Sequence, residues 1–229
     1  ILKEKYCYII FISKGNIQMS IEGHGHSHIN EDLSRETRVR RFASSGALRV
    51  ASAAIEAWGG LSANQPALLI ESAEEITDAM TFGAAAIEAG SDKKGLIAKA
   101  RKWAIGFAVA ASTIATGDFI HEMSADKFTF LKPIEGLDFA HNDIKAASAA
   151  VALNGLVLFI NRKGKNSKKT SDKYAYRDSL RDFVIPGSIL GIAAIKAPHL
   201  VEYGFEAGGI SYGWYNTKQL YNGWKSKKK

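Results

Sequence analysis

From residue 42 onward the chain alternates between charge-poor, apolar stretches and short charged links. The stretches cover residues 42–61, 66–89, 103–120, 146–160, 183–195 and 200–220. An α-helix needs roughly 20 residues to cross a bilayer, and several of the six fall short of that. Pro is scarce, long β-branched alternations are few, and residues 146–152 are Ala-rich. Helices are therefore expected throughout, and the fold class predicted is all-α, a bundle of six helices. Most stretches also carry ionisable residues, among them Arg49, Glu56, Glu71, Glu74, Glu75, Asp78, Glu202 and Glu206. On hydropathy alone a soluble Ala-rich bundle fits as well as a membrane protein. Residues 1–16 are apolar and β-prone but do not begin with Met and lack the small-residue cleavage site of a signal peptide. Met19 is the expected start, with residues 1–18 either upstream read-through or a poorly ordered segment.

Positive charge in the links changes the picture. The links hold, in order, four Lys or Arg (Arg35, Arg38, Arg40, Arg41), none, five (93–102), three (127–145), seven (162–177), one (Lys196) and four (225–229). Alternate links are thus rich and poor. A soluble bundle has no reason for this, whereas a six-span membrane protein with both termini in the cytoplasm retains Lys and Arg on that side. The division expected is a cytoplasmic tail over 1–41, a transmembrane domain over 42–220 and a basic tail over 221–229, in a multi-pass protein of the cell membrane. The net charge of +7 then lies on one membrane face and calls for no nucleic-acid partner. Gly187-x-x-x-Gly191, Gly204-x-x-x-Gly208 and Gly209-x-x-x-Gly213 would allow the last two helices to approach closely. Trp214, Tyr215, Tyr221 and Trp224 suit an interfacial aromatic belt.

A carboxylate inside a bilayer is costly and marks an ion pathway. Glu74 and Asp78 are four residues apart and share a helix face, which Glu71 extends. Asp178 and Asp182 repeat the spacing at the expected start of the fifth span. Two such pairs facing one another would offer four carboxylates to one divalent cation. Oxygen ligands at this density suit hard ions such as manganese, magnesium, ferrous iron or calcium, while zinc usually recruits His or Cys. For Asp178 and Asp182 the plain alternative is a solvated helix start. The tail cluster His24-x-His26-x-His28 is able to chelate a transition metal weakly, and the plain alternative is a dispensable tail. One Cys, Cys7, excludes a disulfide framework or a Cys-rich zinc module.

These segments resemble the cation diffusion facilitators. Ala67-Leu68-Leu69-Ile70-Glu71-Ser72-Ala73-Glu74-Glu75-Ile76-Thr77-Asp78 is similar to that family's second transmembrane helix. Glu56-Ala57-Trp58-Gly59-Gly60-Leu61 is similar to the end of its first helix. Asp178-Ser179-Leu180-Arg181-Asp182 before Pro186-Gly187-Ser188 resembles its fifth, and the His-rich tail resembles that of many members. The resemblance implies a transport site of Glu74, Asp78, Asp178 and Asp182, with Glu71, His24, His26 and His28 as accessory candidates. It further implies export of a divalent cation from the cytoplasm in exchange for protons, usually by a homodimer, with no permanently bound cofactor. Three departures matter. Glu74 stands where the family has Asp or His. Neither pair contains His, nor does the Lys-rich stretch between the fourth and fifth spans, which favours a manganese-like ion over zinc. Only residues 221–229 follow the last stretch, so the family's cytoplasmic C-terminal domain is not expected here.

Two other readings compete. One is a soluble or peripheral α-helical bundle without transport activity. The other is a soluble carboxylate-bridged di-metal enzyme, but such sites use Glu-x-x-His, which the carboxylate-rich segments lack. No nucleophile-elbow or phosphate-loop pattern occurs, and the chain is not expected to be an enzyme.

Overall fold

The structure is a computed structural model that describes residues 33–63, 66–125, 132–134 and 136–225. Residues 1–18 and the cluster of His24, His26 and His28 lie outside the described residues. The described residues form six α-helices: α1 (Arg35–Ala63), α2 (Pro66–Gly90), α3 (Lys94–Ala125), α4 (Asn142–Asn161), α5 (Thr170–Ala194) and α6 (His199–Lys225). A 3-10 segment, Arg162–Asn166, continues α4. Among the described residues there is no strand, only an isolated bridge between Pro133 and Pro198. The all-α expectation holds.

Local chemistry sets the helix ends. Ser34 Oγ accepts the Thr37 amide at 3.2 Å, satisfying one of the donors that the first turn of α1 leaves free. Pro66 opens α2 at a position where its missing amide hydrogen is no loss. The helices run beyond the apolar stretches that announced them. α3 begins at Lys94 and α5 at Thr170, because Lys and Arg extend a helix as readily as apolar residues do. This corrects the placement of Asp178 and Asp182. They lie in the interior of α5 and are buried, not in a solvated first turn.

Two of the helices are long and apolar enough to cross a membrane: α3, and α4 with its 3-10 continuation. α1 packs on α2 and α4, α2 also on α3, and α5 lies between α4 and α6, while α3 closes against α6. Gly209 of α6 meets α5 so closely that a Cβ there would stand 2.6 Å from Ile185 Cγ1. Gly213 meets the Arg181 side chain in the same way, whereas Gly191, Gly204 and Gly208 face open space. Only the last of the three glycine pairs therefore forms the close helix contact expected.

Polarity is arranged against the usual order of a water-soluble bundle. Arg49, Glu56, Asp78, Asn154 and Asp178 are buried, while Trp58, Ile76, Trp103, Phe159, Val184 and Trp214, one from each helix, are exposed. No exposed charged side chain occurs in 42–63, 68–90, 103–120, 146–161, 174–194 or 200–217. The apolar part of the core gathers at one end of the bundle. Phe42, Phe82 and Val157 form one cluster, and Tyr174, Leu220 and Trp224 pack with the alanines of α3 in the other.

Candidate functional site

The two carboxylate pairs come together as their spacing predicts. α2 supplies Glu74 and Asp78, α5 supplies Asp178 and Asp182, and one carboxyl oxygen from each of Asp78, Asp178 and Asp182 lies within 4.8 Å of the other two. Asp78 is 1 % exposed and Asp178 3 %. Glu74 is half-buried and completes the quartet through Arg181.

Arg181 is the residue on which all four converge. Its Nη2 lies 3.1 Å from Glu74 Oε1, 3.5 Å from Asp78 Oδ2 and 4.0 Å from Asp178 Oδ1, and its Nε donates to Asp182 Oδ1 at 2.5 Å. A second arginine, Arg49 of α1, is wholly buried. Its Nη1 donates to both oxygens of Glu75, at 2.8 and 2.9 Å, and to Asn154 Oδ1 at 2.9 Å, and its Nη2 donates to Asp182 Oδ2. Glu75 therefore belongs to the network. Its position one residue, about 100°, from Glu74 predicts a minor role, but that rotation turns it toward α1, where Arg49 waits.

Asn154 ties α4 into the same network. Its Nδ2 donates to Glu75 Oε1 at 3.0 Å and to the backbone carbonyl of Asp182 at 3.1 Å. That carbonyl is four residues before Pro186, which has no amide hydrogen to give it. The side chain of α4 supplies the donor that the proline withholds.

A cavity of about 110 Å³ opens from this cluster. Glu74, Glu75, Asp78, Asp182 and Arg181 line it together with Glu56, Glu71, Asp118, Glu122 and Glu206. Glu71 is near the start of α2, Asp118 and Glu122 near the end of α3, and Glu206 near the start of α6. The acidic wall therefore leads toward the bundle end that carries the α1–α2, α3–α4 and α5–α6 links. Toward the opposite end Tyr174, Phe82, Leu220 and Trp224 are packed and buried. Beyond them Asp172, also buried, accepts from Arg38 Nε at 3.2 Å, from Arg41, and from Ser167 Oγ at 2.8 Å. This latch joins the first turns of α1 and α5.

Five carboxylates (Glu74, Glu75, Asp78, Asp178, Asp182) face two guanidinium groups. Asp78 Oδ1 and Asp178 Oδ2 are buried with no hydrogen-bond partner among the described residues. Buried oxygens left without a donor are costly, and a hard cation is the kind of ligand that would satisfy them. No His or Cys joins the group among the described residues. The donor set therefore fits an oxygen-seeking divalent ion.

The sequence pointed to the carboxylates and passed over Arg49, Arg181, Asn154 and Glu75 as partners. A usable signal was present: an arginine in an otherwise apolar helix must find a buried counter-charge. In comparisons with protein-family models, curated proteins and solved structures, nothing matches this chain.

Proposed function

We propose that the chain is a multi-pass membrane transporter that exports a divalent cation from the cytoplasm in exchange for protons, with both termini cytoplasmic. The observation that carries this reading is the inverted polarity: a buried carboxylate cluster inside a bundle whose long helical faces are apolar and free of exposed charge. Burying Asp78, Asp178 and Asp182 together is unfavourable in any fold, so function is its natural explanation. The alternation of Lys- and Arg-rich links supports the orientation. On that orientation the acidic cavity opens to the outer side and the Arg38–Asp172–Arg41 latch closes the cytoplasmic side, as alternating access requires of one of its two states.

Glu74, Asp78, Asp178 and Asp182 bind the cation in this reading, and Glu71, Asp118, Glu122 and Glu206 line its route out. Manganese or a similarly hard ion is preferred, because every donor is a carboxylate oxygen. Similarity of the two helices to cation diffusion facilitators supports the same site and suggests a homodimer.

The competing reading, a soluble or peripheral bundle, draws on the four helices that are not apolar enough to pass as spans by composition. Detergent-free fractionation of expressing cells separates the two. Recovery in the pellet, released only by detergent, is expected, and recovery in the soluble fraction would refute transport.

A further inference from the structure

We propose that Arg181 is a tethered cation that fills the carboxylate site when no metal is bound, and that a divalent ion loads by driving its guanidinium out into the adjoining cavity. The proposal rests on the transport reading above and adds to it a built-in competitor for the site.

Three observations lead to it. First, the Arg181 guanidinium reaches Glu74, Asp78, Asp178 and Asp182 alike, all within 4.0 Å. It lies where a shared cation would lie. Arg49 contacts one of the four, Asp182, and is otherwise held by Glu75 and Asn154. Second, Arg181 has somewhere to go. It lines the cavity, whereas Arg49 is wholly enclosed. Glu71 lies one helical turn beyond Glu74 on the same wall, and Glu56, 2 % exposed, has there an Oε2 with no hydrogen-bond partner among the described residues. A displaced guanidinium thus enters a cavity whose wall already carries carboxylates. Third, four carboxylates buried without any cation would be strongly unfavourable, and a bound guanidinium removes part of that penalty.

Two functional consequences follow. A monovalent ion replaces one positive charge by another and gains nothing, while a divalent ion brings one charge more than it expels. Arg181 therefore favours divalent over monovalent ions before ligand geometry enters. The metal-free, proton-loaded carrier also returns with Arg181 seated. Net export needs that return, whereas exchange of metal for metal proceeds with the site always filled and does not.

The test uses the full chain, purified in detergent and reconstituted, with Mn²⁺ alone as probe. Free Mn²⁺ is followed by its paramagnetic resonance signal, and net flux and Mn²⁺–Mn²⁺ exchange are measured in proteoliposomes. Arg181→Gln should bind Mn²⁺ at least tenfold tighter than wild type, retain exchange, and lose net flux at least tenfold. A merely structural arginine would lose binding and both fluxes together, and that result overturns the proposal. Should Arg181→Gln fail to fold, Arg181→Lys decides. Lys keeps the charge but loses the fork that spans four carboxylates, so tighter Mn²⁺ binding than wild type with net flux retained is expected, and weaker binding overturns the proposal. Failure of wild type to bind or move Mn²⁺ would instead refute the transport reading itself, so the two failures are told apart.

Discussion

Replacing Asp78 by Asn removes an anionic ligand and loosens only one of the four contacts of Arg181, the 3.5 Å one, leaving the closer contacts to Glu74 and Asp182 in place. The variant should fold and should lose Mn²⁺ binding by about a hundredfold, on the scale of other changes at metal sites. Glu75→Gln differs. It strips the charge from the main partner of a fully buried arginine, so it should destabilise by about 3 kcal/mol, read as a lower midpoint of thermal unfolding in detergent. Unfolding at the wild-type midpoint would show that the Arg49–Glu75 pair is not what holds α1 to α2. Glu74→His introduces a softer donor and should shift competition binding toward Zn²⁺. At this scale the carboxylate pairs were legible because spacing of four on a helix is local arithmetic. The arginines were not. Arg181 is adjacent to Asp182 and so lies off its face by helical rotation, and only its long stem swings the guanidinium back. The partners of Arg49 are 26 and 133 positions away, and local sequence spacing does not assign such a pairing.

At the scale of elements, α5 owes its fit to Pro186 and to Gly209 opposite. If Asn154 replaces the donor that Pro186 withholds from the Asp182 carbonyl, the two positions must couple. Asn154→Ala should cost about 2 kcal/mol, as expected for buried groups left without partners. Adding Pro186→Ala should recover part of that loss, because the new amide donates to the same carbonyl. A double-mutant cycle on unfolding free energy reads the coupling, and strictly additive effects would contradict it. Gly209→Leu should push α6 off Ile185 and lower the unfolding midpoint further than Gly208→Leu, whose Cβ would meet no atom of the described residues within 4 Å. The existence of the six helices was legible from the apolar stretches, but their lengths were not. Charged turns of α3 and α5 break the hydropathy signal without breaking the helix, and this displaced Asp178 and Asp182 from the interior to an expected helix start.

For the whole molecule the inverted polarity makes topology the first question. Ser167, in the Lys-rich link before α5, is buried against Asp172, and a label there would report burial instead of sidedness. Lys168 and Ala140 are exposed and lie at opposite ends of the bundle. On a Cys7→Ser background, Ala140→Cys should react with an impermeant thiol reagent added to intact cells, and Lys168→Cys should react only after permeabilisation. The reverse pattern would invert the proposed orientation. The orientation proposed rests on charge counting in the links, yet some of the counted residues also hold the fold together, since Arg38 and Arg41 are buried against Asp172 and latch two helices to each other. We propose that these buried carboxylates carry a divalent ion across a membrane, and the decisive experiment is Mn²⁺ flux into proteoliposomes with a proton-sensitive dye. Wild-type protein should move Mn²⁺ with protons passing the other way, and Asp78→Asn should move neither. Wild-type flux no greater than that of protein-free liposomes, or equal flux from Asp78→Asn, would contradict it.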